Sequence, residues 1–293
     1  MISSSFFQNK FIKSKDNILI LNEEDNYTKN FSKQWKKYQK IQIDSMNNFN
    51  ISENYLKNLL FTDLEFLKNK NVLELGSGAG RFTEHIVKYA KNCVTVDLSS
   101  AIYYNIAKNK KNVTFIKADY LYLEPSTKFD IVICRGVLQH TPNPQKYLLK
   151  LFDFVNKKGH VFFDIYPKPK LGLLHPKYLL WRPLIQKIYT YDDFEKFLTV
   201  NISKLLKIKR FIKKIFFNSN LISDLFIPVW DYKNQLPLNT KQLEDWAILD
   251  TLDGIYANFD KPYKYSEVVK ILKYENIKII NSNNKRNYFK CSK

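Results

Sequence analysis

Glycine, cysteine and histidine are all scarce in this chain, with seven, three and four residues among 293. Cys93, Cys134 and Cys291 show no paired spacing and the histidines are scattered, so neither a disulfide framework nor a metal site is expected. That usage fits a reducing compartment, the cytoplasm. Long apolar runs are missing too. Nothing approaches the roughly 20 residues of a membrane-spanning helix, and the N-terminal MISSSFFQNKFIKSKDN has no basic segment leading into an apolar one. A soluble, unprocessed protein is expected. Acidic residues are outnumbered, 28 against 47 basic, for a net charge of +19. Such an excess attracts polyanions. Lysine, asparagine, isoleucine, tyrosine and phenylalanine are abundant together, however, which is what AT-rich coding produces without selection for binding. With 45% apolar residues the chain can bury a substantial core.

What is present is concentrated. Three of the seven glycines fall within VLELGSGAGR (72–81), where an apolar strand runs into Gly76, Gly78 and Gly80 and then into a helical pattern. Glycines so spaced let the backbone take positive φ and approach a ligand, and the helix start offers unpaired N–H groups. A nucleotide-type cradle is expected. A dinucleotide fingerprint would place its third glycine at position 81, where this chain has Arg81, so nicotinamide binding is disfavoured. CVTVDL (93–98) reads as a second buried strand ending in Asp97, where a carboxylate can accept from both hydroxyls of a ribose. NVTFIKAD (112–119) reads as a third, ending in Asp119, and FDIVICRG (129–136) as a fourth, leading into Val137, Leu138, Gln139 and His140. Each polar residue falls at the carboxyl end of a strand, the edge at which open parallel sheets bind ligands.

In this order and spacing, ELGSGAG, VTVDLS, ADYLYL and FDIVICRGVLQHTPNP resemble the motifs of class I S-adenosylmethionine-dependent methyltransferases, over residues 70–166. The resemblance implies an α/β fold: a Rossmann-like seven-stranded sheet, mostly parallel with an antiparallel last strand, carrying N-terminal helices and a helical cap insertion. It implies S-adenosylmethionine as cofactor. Glu74 and the turn Gly76, Ser77, Gly78 and Gly80 would flank the methionine portion, and Asp97, followed by Leu98, would hold the ribose. Asp119 with Ala118 and Tyr120 would border the adenine, and Arg135 and Gly136 would lie near the methionine portion. The wider pattern, with QW at 34–35, GRF after the glycines and GVLQHTP after the fourth strand, is similar to bacterial members of mostly unassigned substrate. The acceptor stays open.

Four segments follow along the chain. Residues 1–69 start polar and mobile, then show two helical patterns, one with Phe31, Trp35 and Tyr38 on a face and one with Tyr55, Leu56, Leu59 and Leu60. Residues 70–166 form the cofactor-binding core in βαβ rhythm. Its helix over 145–157 is punctuated by Asn143 as cap, Pro144 in the first turn and Gly159 just past the end. Residues 167–262 begin with PKPKLG, break the rhythm and read as a helical cap that holds the acceptor. Residues 263–293 supply the last helix and the terminal strand pair.

Methyl transfer from a sulfonium is an in-line displacement, so positioning is much of the catalysis. An alcohol or enolisable carbon must also lose a proton. His140 is the candidate base, at the ligand edge with a side chain that titrates near neutrality, or else it hydrogen-bonds the backbone and closes the pocket. Arg81 reads either as a cation for the carboxylate of the methionine portion or as a solvated helix-start residue. In EDWAILDTLDG, Trp246, Asp250 and Asp253 share a helical face that suits a sugar or other polar small molecule. Residues 203–217 set Leu205, Ile208, Ile212 and Ile215 at helical spacing among six basic residues, which reads as a peripheral contact with an anionic membrane or as an ordinary cap helix.

The expected partner is thus a small-molecule acceptor such as a sugar or lipid-linked intermediate of bacterial surface-glycan synthesis. Nucleic acid is the rival. Amino methylation of a base goes with a [DNS]-P-P-[YFW] signature where this chain has CRGVLQH, and Cys134 lacks the Pro-Cys context of cytosine C5 chemistry. A tRNA or rRNA methyltransferase and a non-catalytic S-adenosylmethionine-binding subunit remain the alternatives.

Overall fold

The computed structural model describes residues 2–13, 16–22, 26–169, 171–217 and 219–293. Met1, Ser14 and Lys15 of the N-terminal segment and Lys170 of PKPKLG therefore lie outside the described residues. The chain divides into two compact units, 1–167 together with 259–293, and 168–258.

The first unit is built on strands β1 (Ile2–Ser3), β2 (Lys10–Lys13), β3 (Leu19–Ile20), β4 (Asn71–Leu75), β5 (Asn92–Asp97), β6 (Val113–Lys117), β7 (Phe129–Cys134), β8 (Val155–Asp164), β9 (Lys278–Asn283) and β10 (Tyr288–Ser292). They form one sheet in the order β1-β2-β3-β6-β5-β4-β7-β8-β10-β9. β4 to β8 pair in parallel, and their runs of Val, Ile and Leu are buried on both faces, as sheets covered on two sides require. β10 is antiparallel to both β8 and β9. β9, rich in Lys and Asn, lies at the edge and is largely exposed. Seven strands from β4 to β10 thus make the expected sheet.

Three further strands come from the segment expected to be mobile. β3 pairs in parallel with β6, Leu19 beside Ile116, and β2 and β1 add antiparallel. The physical reason is aromatic: Phe7 is 2% exposed, and its ring lies 6.1 Å from that of Phe129 and 6.3 Å from that of Phe154. Polar composition hid a short apolar anchor.

Helices α1 (Lys29–Tyr38), α2 (Asp44–Asn47) and α3 (Ile51–Leu60) precede the first core strand. α3 buries the expected stripe, with Leu56, Leu59 and Leu60 fully enclosed. A single turn, α4 (Thr83–Ile86), follows the glycines, and α5 (Pro144–Phe154) precedes β8. Asn143 caps α5, its Oδ1 accepting from Lys146 N at 3.1 Å. Gly159 is a correction. It does not follow the helix but lies inside β8, where a Cβ would stand 2.6 Å from the Asp130 carbonyl oxygen of the neighbouring strand. Close backbone approach, not helix termination, calls for glycine there.

The second unit is helical: α6 (Arg182–Ile188), α7 (Tyr191–Ile215), α8 (Asn220–Phe226) and α9 (Thr240–Tyr256). Thr190 caps α7 and Asn239 forms a capping box with Gln242 at α9. Arg182 donates to the Gly254 and Ala257 carbonyls at the end of α9, where a cation offsets the exposed carbonyl dipoles. The last helix, α10 (Tyr265–Tyr274), belongs to the first unit.

Because Phe7 anchors the N-terminal strands, Phe7→Ala should cost about 3–5 kcal/mol in urea unfolding. A loss near zero would show that this segment is not part of the folded unit.

Candidate functional site

β4 lies between β5 and β7, and the strand order reverses there, so the carboxyl ends of β4 and β7 open a crevice. Two glycine turns form its lip. After β4, Gly76 and Gly80 have φ of +79° and +94°, and space forbids a side chain at either. A Cβ at Gly76 would lie 2.0 Å from Val137 Cγ2, and one at Gly80 would lie 2.3 Å from Asn105 Oδ1. Gly78 N–H donates to Asp97 Oδ2 at 2.7 Å, which ties the turn to the end of β5. Asp97 Oδ1 accepts from the Ser99 amide at 2.8 Å and its hydroxyl at 2.6 Å. The indole of Trp35, on α1, sits 3.5 Å from where a Gly78 Cβ would be. Trp35, from the expected face with Phe31 and Tyr38, therefore packs against the glycine turn.

Parallel register sets Glu74 beside Thr95. The Thr95 and Thr83 hydroxyls both donate to Glu74 Oε2, at 3.1 and 2.6 Å. Oε1, equally buried, has no hydrogen-bond partner among the described residues, and neither has the buried Ser77 Oγ. Burial pushes the Glu74 carboxyl up to about 7, against the two threonine hydroxyls that pull it down. A buried, half-satisfied carboxyl at a strand end is a group built to meet something.

The second turn follows β7. Gly136 has φ of +71° with open space where a Cβ would project, and its N–H donates to Asp164 Oδ1 at 2.6 Å. Arg135 is enclosed by the rings of Tyr55, Phe82 and Tyr288, donates to Tyr288 Oη at 2.8 Å and has Nε 3.9 Å from Asp164 Oδ2. At the end of β6, Asp119 Oδ2 accepts from Tyr147 Oη at 2.5 Å and Oδ1 from the Leu121 amide at 2.9 Å, with Ala118 and Tyr120 buried beside it. Leu98 is half-buried after Asp97. His140 is 8% exposed, with Nδ1 2.9 Å from the Phe259 carbonyl oxygen and its ring edge-on to Phe31 and Tyr166.

A family profile described as a methyltransferase domain matches residues 49–196, slightly more than half of the chain. The chain belongs to this methyltransferase family. Among curated relatives, it is 28% identical over 104 residues to a ubiquinone biosynthesis O-methyltransferase of Coxiella burnetii, covering 33% of this chain and 44% of the relative. It is 25% identical over 153 residues to the Rickettsia bellii protein of the same name, covering 49% and 62%. The chain thus spans about half the length of the curated relatives it matches. Among solved structures, PKMT2 from Rickettsia typhi is similar in fold, with a TM-score of 0.51 at 18% identity over 79% of this chain and 44% of that one.

Within the methyltransferase domain, Arg81 reaches back to residues that precede the core. Arg81 Nε donates to Ser52 Oγ at 2.9 Å and Nη1 to Gln42 Oε1 at 2.7 Å, so its guanidinium fastens the N-terminal helices to the glycine turn. In the other unit, Trp246 is 2% exposed beside the ring of Tyr232, whose hydroxyl donates to Asp250; Asp253 is half-buried. Trp246, Asp250 and Asp253 share a helical face as expected, but Trp246 is turned into the unit's interior, because α9 packs against α7 and α6. The expectation of an open aromatic and acidic surface is corrected accordingly. Cys134 is fully buried, and burial pushes its thiol well above the ordinary range, which removes it as a thiolate nucleophile.

Asp164 and Tyr147 escaped the sequence reading. Asp164 had a signal, since VFFD ends a strand just as the other three motifs do. Tyr147 had none, because its reach to Asp119 depends on how α5 packs. Scattered histidines were expected to form no cluster, yet His85 Nε2 lies 3.1 Å from Asp44 Oδ2 and 3.4 Å from Glu84 Oε1, all three buried. The carboxylates are already occupied by amides: Asp44 accepts from Ser52 and Glu53, and Glu84 from Asp44. The geometry sets the imidazole within ion-pair distance of two acids. Burial works against its charge, but Asp44 and Glu84 outweigh that and raise the His85 pKa above its ordinary value. Burial likewise opposes ionisation of Asp44 and Glu84, and His85 and the amides prevail, holding both below their ordinary values.

The raised imidazole contributes stability in full below its unfolded value of about 6.5 and loses it as pH rises through the folded value. The lowered carboxylates contribute above their unfolded values, 3.8 and 4.5, and lose it as pH falls. His85→Gln should therefore destabilise most between those limits, by about 1.5–3 kcal/mol, and progressively less in alkaline solution. Urea unfolding of both proteins across that range decides it; a penalty that does not vary with pH rules out the charged clasp.

Proposed function

We propose that this chain is an S-adenosylmethionine-dependent methyltransferase acting on a small-molecule acceptor. The observation that carries the reading is the pair of buried, unpartnered polar atoms, Glu74 Oε1 and Ser77 Oγ, beside a glycine turn whose amide is held by Asp97. An acceptor oxygen and a hydroxyl next to a tight turn suit the ammonium and carboxylate of an amino acid, and a strand-end aspartate suits a ribose. The residues present fit the cofactor.

When bound, that cofactor supplies a sulfonium methyl for in-line transfer. Glu74 would hold the ammonium through Oε1, while Thr83 and Thr95 hold Oε2. Asp97 would receive the ribose hydroxyls, Asp119 would border the adenine, and the open space at Gly136 would let the β7 turn lie against the methionine portion. Arg135, enclosed by aromatic rings beside Asp164, keeps that turn in place. His140 acts on the acceptor. Its Nδ1 lies 2.9 Å from the Phe259 carbonyl oxygen, which orients the ring as it takes the acceptor's proton.

Relatives named ubiquinone biosynthesis O-methyltransferases support an oxygen acceptor on a small molecule. The segment read from the sequence as a cap, 167–262, lies largely beyond the residues matched by the family profile and is proposed to hold the acceptor. A sugar or lipid-linked intermediate of surface-glycan synthesis is the finer proposal.

Because Glu74 titrates at about 7 in the free protein, calorimetric affinity for S-adenosylmethionine should rise as pH passes upward through that value and level off above it. In Glu74→Gln the affinity should be weaker and lack this step; an unchanged step in the variant would remove Glu74 from the ammonium. Radiolabelled cofactor incubated with cell extract, fractionated into RNA, protein, lipid and small molecules, tests the acceptor. Label is expected among small molecules or lipids, with kcat lowered about 100-fold or more by His140→Ala. Label confined to RNA would establish the rival reading, and cofactor binding without transfer to any fraction would mark a non-catalytic subunit.

A further inference from the structure

We propose that the outward face of α7 is a docking surface for an anionic lipid bilayer, with the helix lying in the plane of the interface. The inference rests on the unit 168–258 alone and is independent of the methyl-transfer reading. Of the 22 large apolar side chains that are exposed among the described residues, 16 belong to this unit of 91 residues. Exposed apolar surface so concentrated marks an interaction site.

The 25 residues of α7 carry two apolar stripes, not one. Phe194, Leu198, Ile202 and Leu206, each four apart, are buried inward. The opposite stripe holds Phe197, Val200, Ile208, Phe211 and Ile215, with Val200 78% and Phe211 65% exposed, and runs on into Phe217 at 97%. Leu205, Ile208, Ile212 and Ile215, joined by the sequence pattern, do share one face, half-buried or exposed, and the buried stripe is a separate set. Across a 100° turn per residue the outward five fall within a narrow arc, and the stripe spans 19 residues, about 27 Å of helix.

Charge identifies the occupant. From Lys196 to Phe217 the chain has seven basic residues and no acid. Lys209 and Arg210 turn to Asp224 and Asp231 within the unit. Lys196, Lys204, Lys207 and Lys214 are exposed, lying on or beside the apolar stripe. A polyanion such as RNA would satisfy the lysines and leave Val200, Phe211 and Ile215 in water. A second copy of the helix would bury the apolar residues but set lysine rows within a Debye length of each other. An anionic bilayer meets both demands, with headgroups at the ammonium ends and acyl chains at the Phe, Val and Ile side chains, while the lysine stems reach up to the interface.

The test is sedimentation of the full chain with vesicles of phosphatidylcholine, with and without phosphatidylglycerol. Binding is expected only with the anionic lipid, weakening with salt, and falling by at least about tenfold in Phe211→Asp/Ile215→Asp and in Lys204→Glu/Lys207→Glu. All four residues are exposed, so unchanged circular dichroism and melting should accompany the loss. Three results would overturn the proposal: no binding to either vesicle, equal binding to both, or a concentration-dependent dimer in ultracentrifugation that Phe211→Asp abolishes without lipid.

Discussion

β4 is hydrogen-bonded in parallel on both sides, to β5 and to β7, and the chain reverses its direction of travel across the sheet at that point. A strand so placed has both faces buried, yet its carboxyl end must leave the sheet where no neighbouring connection covers it. Two turns answer this constraint in the same way. The Gly78 amide after β4 is taken by Asp97 at the end of β5, and the Gly136 amide after β7 by Asp164 at the end of β8. Each inner turn is thus held by a carboxylate from the next strand outward. Glu74 belongs to the same constraint: parallel register brings Thr95 to its side, and the two threonine hydroxyls stabilise one oxygen of a carboxyl that burial otherwise keeps near neutrality.

The N-terminal helices are held to that edge by charge and not only by packing. Arg81 reaches Gln42 and Ser52, and His85 stands between Asp44 and Glu84. Both side chains closely follow the glycine turn in sequence, so one short segment shapes the cradle and fastens the N-terminal residues to it. Leaving either cation without its partners would strand a buried charge, which costs more than the pair itself contributes.

The unit 168–258 follows a different logic. Its interior is closed by one stripe of α7, by Trp246 and by the packing of Gly254 against the Trp230 ring, while a second apolar stripe stays in water among lysines. Interior demands are met without that stripe, so it is surplus to folding.

The glycine turn, the strand-end aspartates and the βαβ rhythm were legible because each depends on local backbone geometry and on a period of two or of 3.6 residues. Asp97 and Asp119 could therefore be brought to one edge from spacing, while Glu74, Arg135 and Gly136 entered only through the resemblance to methyltransferase motifs. Gly159 was misread because a helix end and a close strand crossing both ask for glycine, and only the position of the Asp130 carbonyl separates them. Phe7 could not be seen as core, since its burial comes from Phe129 and Phe154 more than a hundred residues away. His85 met Asp44 only through the fold, and α7's apolar residues were sorted into inner and outer stripes only by what α8 and α9 cover. The sequence by itself determined the parallel core of the sheet and which strand ends carry polar residues, because both follow from local period; tertiary packing decided that three N-terminal strands extend the sheet, which charges are clasped, which aromatics are core and which apolar face is left to solvent, because those depend on partners distant along the chain.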